Sequence, residues 1–187
     1  KLFTERLFRI PDYQRGYSWQ EKQLQEFWSD LEQLEGDRHH YLGVLTLEAV
    51  EQSVYKTWQE DVWLINSKSF VPFHVVDGQQ RLTTIIILLQ CIIEQMKADT
   101  RLNYSTREEI QSRFIYIGKD ATDGSFLFGY EKDNPSYECL KTKIHKKSSN
   151  RYSAGESTIY TKNLLAAKSF FVEKLSNFTL ELLQQVF

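Results

Sequence analysis

The chain is poor in the residues that usually staple small proteins: 187 residues hold two cysteines, three prolines and one methionine. Cys91 and Cys139 have neither a second Cys nor a His at metal-ligand spacing. That excludes a disulfide scaffold and a structural zinc site, and it points to a reducing, cytoplasmic setting. No long hydrophobic run is present either. The longest apolar block, residues 85–93, is interrupted by Gln90 and stopped by Glu94, too short to cross a bilayer. No signal-peptide pattern opens the chain. The Walker loop, the G-x-G-x-x-G turn, the H-E-x-x-H helix and any Ser-His-Asp constellation are absent, as is an internal repeat. With a net charge of -2 and a pI near 6.1, no global basic field draws the chain onto nucleic acid.

What is present reads as globular. Hydrophobic residues make up 41% and aromatics 14%, and the length suffices for a full core, as one domain or one domain with a helical annex. The first residue is Lys1 rather than Met, and residues 178–186 are again apolar. The first suggests an excised fragment, and the second predicts that more protein follows.

The pattern predicts a mixed α+β fold. Residues 4–10 read as a strand ending at Pro11. Ser18 and Glu21 form an S-x-x-E capping box, and Leu24, Phe27, Trp28, Leu31 and Leu34 recur at helical spacing up to Gly36. Residues 41–50, 54–65 and 70–76 have strand composition, which predicts a small β-meander. A long helix over residues 79–96 is apolar nearly all round (Leu82, Ile85–Leu89, Ile92, Ile93) and is expected to be central and buried. Beyond it, residues 114–117 and 126–130 are expected to pair as strands around Thr122-Asp123-Gly124. Asn134-Pro135-Ser136 signals a helix to about residue 144; residues 146–156 read as a flexible loop; Ser157 or Thr158 opens a last helix carrying Leu164, Leu165, Phe170, Phe171 and Leu175. The chain thus divides into a core at 1–97 and a strand pair with helices at 98–187.

Two segments carry residues suited to chemistry. In Ile10-Pro11-Asp12-Tyr13-Gln14-Arg15-Gly16-Tyr17-Ser18-Trp19, Arg15 offers a planar fork for phosphate and Tyr13 or Trp19 a face for a base. The competing reading is that these aromatics cover the end of the core. In Val75-Val76-Asp77-Gly78-Gln79-Gln80-Arg81-Leu82-Thr83-Thr84, a strand feeds a tight turn and a helix N-terminus, where free N–H groups and the dipole favour an anion. Asp77 and Gln80 also form a D-x-x-Q capping box that needs no ligand, contributing about 0.5–2 kcal/mol. A cation in the first helical turn opposes the dipole, so Arg81 is better explained by a bound anion. His39-His40, His74 and the basic run of Lys141, Lys143, His145, Lys146, Lys147 and Arg151 read as solvated or structural.

Taken together, I-P-x-Y-Q-R-x-Y-x-W, the Tyr41-Leu42-Gly43 segment and V-V-D-G-Q-Q-R-L-T-T resemble the N-terminal domains of a large family of bacterial restriction and defence proteins. Among them are the S-type half of the GmrSD modification-dependent restriction endonucleases and the phosphorothioation-sensing SspE proteins. The resemblance is sharp over residues 5–97 and looser over 98–187. It implies a ParB/sulfiredoxin-like fold, a small sheet with a buried central helix followed by a mostly helical section. It also implies nucleoside-triphosphate binding and hydrolysis coupled to DNA restriction, with Asp77, Gly78, Gln79, Gln80 and Arg81 as the signature turn and Tyr13, Gln14 and Arg15 as a first motif. A further HNH-type nuclease domain accompanies such domains; this chain shows no H-N-H pattern. Position 79 is Gln, not the Cys a sulfiredoxin needs.

The leading expectation is therefore an NTPase domain regulating restriction. Arg81, Arg15 and the helix N-terminus would hold the triphosphate, with Gly78 and Thr83 in the same turn. Asp77 would position Mg²⁺ or another divalent cation, Gln79 or Gln80 the attacking water, and Tyr13 or Trp19 the base. The alternatives are a DNA-binding or modification-sensing module without turnover, and an interaction domain whose turn is only a capped corner.

Overall fold

A computed structural model describes residues 2–34, 41, 43–97, 99–120, 123–147 and 157–177. In chain order it contains β1 (Arg6–Ile10), α1 (Glu21–Glu32), β2 (Thr46–Ala49), α2 (Gln52–Tyr55), α3 (Val62–Lys68), β3 (Val71–Asp77) and α4 (Gln79–Gln95). These are followed by α5 (Arg107–Phe114), β4 (Tyr116–Gly118), β5 (Gly124–Phe126), β6 (Phe128–Tyr130), α6 (Tyr137–Cys139), which winds on as a π-helix (Leu140–Ile144), and α7 (Ile159–Ser176). The fold is mixed α+β, as the pattern predicts.

The main sheet is not the expected meander. Its order is β2-β3-β1-β6, with β1 parallel to both β3 and β6 and β2 antiparallel to β3. A central strand covered on both faces reads as a nearly continuous apolar run, and β1 fits: Leu7, Phe8 and Ile10 are fully buried. Its side chains alternate. Phe8 and Ile10 join the large core cluster with α4, while Leu7 packs with Leu64, Ile65 and Leu127 on the other face. Fully burying a side chain such as Phe8 contributes about 1.5–3 kcal/mol.

The segment 54–65, rich in Val, Tyr, Trp and Ile, forms no strand: it spans the end of α2, a turn and the start of α3. Leu64 and Ile65 of α3 turn inward to pack with Leu7 and Leu127, with Trp58 of the preceding turn beside them, and that burial outweighs β-branched composition. The second strand pair also differs. β4 pairs with β5, whereas β6 crosses to the main sheet beside β1. A single strand over 126–130 is thus divided at Leu127, whose N–H bonds Ile115 O and whose carbonyl accepts from Phe8.

α4 runs through the middle, burying Leu82, Ile86, Ile87, Leu88, Cys91, Ile92 and Ile93. It lies between the sheet and α7, whose Leu164, Ala167, Phe171 and Leu175 are buried in the same cluster. Thr158 caps α7 by accepting from Thr161 N at 3.2 Å. The helix start near residue 18 moves inward. Gln20 is the N-cap of α1 and its N–H bonds Gln23 Oε1 at 3.0 Å, so Ser18 and Glu21 form no box. Gly36, the pair His39-His40, Leu42, Thr122, Arg151, most of the 146–156 loop and the apolar stretch 178–186 lie outside the described residues.

Candidate functional site at the strand-to-helix turn

The chain leaves β3 at Asp77 and enters α4 through Gly78, which holds φ at +85°. Only Gly takes that conformation without strain. There is also little room: a Cβ at Gly78 would lie 3.0 Å from Val44 O and from Leu45 Cδ1. Gly78 is the N-cap residue and no side chain caps the helix. The expected Asp77–Gln80 box does not form, because both side chains are engaged elsewhere. Asp77 is exposed, and its Oδ1 accepts the Gly78 N–H at 2.8 Å.

Gln80 faces inward. It is buried, its Oε1 accepts the Ser18 N–H at 2.7 Å, and its Nε2 donates to Gly16 O at 3.2 Å. From the other motif, Gln14 Nε2 donates to Val76 O at 2.8 Å. The two segments singled out in the sequence are therefore stitched together. Beneath them lies a polar layer: Tyr17 OH meets Thr84 Oγ1 at 2.7 Å and Tyr130 OH meets Thr83 Oγ1 at 3.1 Å. Burial pushes both phenols well above the usual tyrosine range, so they serve as neutral hydrogen-bonding groups.

Arg81 is exposed, and its guanidinium lies against the α-carbon of Gly43, occupying the space where a Cβ would stand. Gly43 itself has φ at +88°. Beside them runs a groove of about 390 Å³ lined by Trp19, Tyr41, Gly43 and Arg81, with carboxylates from Glu26 and Asp30. Trp19 packs against Phe27 with ring centroids 6.1 Å apart. Gln79 is half-buried, and its Oε1 is a buried atom without a hydrogen-bond partner.

The structure thus brings Gln14, Gly78, Gln80 and Arg81 to one corner, with Trp19 in the groove beside Arg81. Tyr13 and Arg15 are exposed on the loop after β1, and Thr83 is fully buried, donating to Gln79 O at 2.8 Å. Among the described residues, no group of three or more His, Cys, Asp or Glu is placed to hold a metal ion. The basic run is more engaged than its sequence suggests: Lys141 pairs with Glu60, Lys146 with Glu94, and Lys147 Nζ donates to Tyr116 OH at 2.8 Å.

Two features escape sequence reasoning. Gly43 belongs to the resemblance, but nothing local signals that it receives Arg81. A second cavity, of about 510 Å³, opens on the sheet face away from α4, around Arg9, Trp58, Asp61, Tyr137 and His145. Its one sequence signal is Arg9, a charge set within an otherwise apolar strand.

The profile for the GmrSD restriction endonuclease, N-terminal domain, matches residues 1–187, and the chain belongs to that family. Compared with curated proteins, it matches none. Among the described residues, no helix is long and apolar enough to cross a membrane.

Proposed function

We propose that this domain binds a nucleoside triphosphate at the N-terminus of α4 and that hydrolysis there regulates DNA cleavage by the restriction protein. The observation that carries the reading is the uncapped first turn of α4 with Arg81 exposed within it. A 17-residue helix presents unsatisfied N–H groups and a partial positive charge at this end, and Arg81 adds a permanent cation. Gly78, the N-cap residue, offers those donors no side-chain acceptor.

In this reading, Arg81 and the α4 N–H groups hold phosphate oxygens, Arg15 closes from the loop after β1, and Trp19 offers a ring for the base. Asp77 is exposed and keeps its second carboxylate oxygen for Mg²⁺. An ion bound through one carboxylate, with phosphate and water filling the other positions, suits that donor set; Mg²⁺ would neutralise charge on the phosphates. Gln79 is the side chain left to orient water, since Gln80 is committed to Gly16 and Ser18. Water attacks the γ-phosphorus, the bond to the bridging oxygen breaks, and orthophosphate and the nucleoside diphosphate leave. Gly78 permits close approach of the backbone, and Thr83 holds the Gln79 carbonyl in place.

The test is nucleotide binding by calorimetry and phosphate release by the purified protein, with Asp77→Ala and Arg81→Ala beside it. Loss of release in both, with binding weakened chiefly by Arg81→Ala, is expected. Equal activity in all three proteins removes the assignment.

A second reading, DNA binding or modification sensing without turnover, draws on the exposed Tyr13, Tyr41, Val44 and Val76 around the same turn. Exposed aromatic and aliphatic groups beside arginines suit a nucleic-acid surface. Salt-dependent duplex binding without phosphate release would favour it.

A further inference from the structure

The second cavity lies apart from the turn. It opens between the loop before α3, the segment after β6 and the π-helix, over the sheet face that carries Arg9. π-helical segments are rare and concentrate at functional sites, and here Leu140 and Lys141 of that segment line the wall.

The lining of the cavity carries five carboxylates against three cations. Several of these groups are already engaged on both sides, and Glu131 Oε1 meets His74 Nε2 at 3.0 Å. Arg9 is consumed at the base: it pairs with Asp61 at 2.6 Å and donates to Phe126 O at 3.0 Å and Phe8 O at 2.8 Å. Lys141 is held by Glu60 at 2.5 Å. On the acceptor side, His145 Nδ1 meets Gln90 Oε1 at 2.9 Å, which places the proton on Nδ1 and leaves Nε2 a bare lone pair. That Nε2 is buried and has no partner. Burial, aided by Lys168, lowers the His145 pKa to about 3, so the ring is neutral and cannot serve as a second donor.

Carboxylates also crowd the mouth. Asp12 N–H bonds Glu131 Oε2 at 3.2 Å, and the Asp12 carboxyl is raised by burial and then by the neighbouring Glu131 and Asp133. A phosphorylated ligand would meet net negative charge here. An ammonium ligand would relieve it, and Trp58, Phe126 and Tyr137 supply aromatic surface suited to both cations and methylene chains. The acidic groups come from three separate segments: Asp12 after β1, Glu60 before α3, and Glu131 with Asp133 after β6. Several ammonium groups spaced along one flexible chain match that distribution better than a single charge.

We propose that this cavity binds an aliphatic polyamine, its ammonium groups held by Asp12, Glu60, Glu131 and Asp133 and its methylenes laid against Trp58 and Tyr137. This site is independent of the nucleotide reading.

The test is calorimetric titration of the whole protein with spermidine at physiological ionic strength. Three comparisons accompany it: 1,8-octanediol as a neutral chain, Nα-acetyl-lysine methylamide as a polypeptide-borne ammonium, and the Arg81→Ala protein. Saturable one-to-one binding of spermidine is expected, unchanged in Arg81→Ala and absent for the diol. The double variant Asp12→Asn/Asp133→Asn should bind about tenfold more weakly, a loss of about 1.4 kcal/mol. The amide oxygen introduced by Asp12→Asn still accepts the backbone bonds that the carboxylate makes, so the loop keeps its anchor. Thr57→Arg, at an exposed rim position, should block binding by tethering a cation in the cavity. Absence of saturable binding overturns the proposal, as does equal binding by both variants or by the diol. Tighter binding of the lysine derivative than of spermidine overturns the polyamine assignment in favour of a protein side chain.

Discussion

The side-chain amide of Gln80 closes on the backbone of Ser18: its Oε1 accepts that N–H at 2.7 Å in a half-buried setting, 62 residues away in sequence. What reads as two motifs is one structural unit. Removing the acceptor leaves a donor desolvated, at about 1–3 kcal/mol. Gln80→Ala should therefore lower unfolding stability by that amount in urea titrations, while Gln79→Ala, whose Oε1 has no partner to lose, should stay within about 0.5 kcal/mol. Equal losses would show that Gln80 does not carry the junction.

Gly43 tests the position of Arg81. A methyl group there enters the space of the guanidinium and also sits at φ +88°. Gly43→Ala should cost about 1–3 kcal/mol through the backbone and displace Arg81, weakening nucleotide binding to the level of Arg81→Ala. Retained affinity in a folded Gly43→Ala protein would separate Arg81 from the ligand.

The Arg9–Asp61 pair is buried, with both side chains under one-tenth exposed. Burial, with Glu60 nearby, holds the Asp61 pKa above the usual carboxylate range despite Arg9, so the pair is expensive to keep. Arg9→Met alone should destabilise by about 3–5 kcal/mol because it leaves a buried acid unpaired, while Arg9→Met/Asp61→Leu should recover much of the loss. A double-mutant cycle from urea unfolding reads the difference; additive losses would argue against a coupled pair.

His145 gives the fold a pH dependence of definite sign. Its folded pKa is lowered to about 3 by burial and Lys168, from an ordinary value of 6.5. The unfolded chain then binds the extra proton, so the contribution is complete above about pH 6.5 and is lost as pH falls towards 3. Between about pH 6 and 5, where carboxylates interfere least, the stability of the wild-type protein should fall by up to about 1.4 kcal/mol per pH unit more than that of His145→Gln. Parallel stability–pH curves would contradict a buried neutral imidazole.

Much of this architecture is legible in the chain. The run from Leu82 to Ile93 declares a buried helix through its apolar density, and α4 occupies residues 79–95. The strand leading to Asp77 and the helix carrying Phe171 are equally plain. What the sequence conceals is pairing. Residues 54–65 have strand composition, yet Leu64 and Ile65 lie on α3 and pack with Leu7 and Leu127, and propensity yields to that burial. Nothing local tells that Phe128 joins β1 instead of continuing β5. At the site, Asp77 and Gln80 have the spacing of a capping box, but the long-range partners Gly16 and Ser18 claim Gln80 first. Arg81 and the turn are visible in sequence; the glycine that receives Arg81 is visible only in three dimensions.

Consider finally α4 as a mechanical element. At about 1.5 Å per residue, its 17 residues form a rod of roughly 25 Å, packed along most of its length. One end is the exposed turn with Arg81. At the other, Glu94 grips Lys168 of α7 at 3.0 Å and Lys146, just past the π-helix, at 2.8 Å, and these bonds together hold its carboxyl low against the upward push of burial. The exposed turn at Arg81 and the Glu94 ion pairs are therefore the two ends of one packed element.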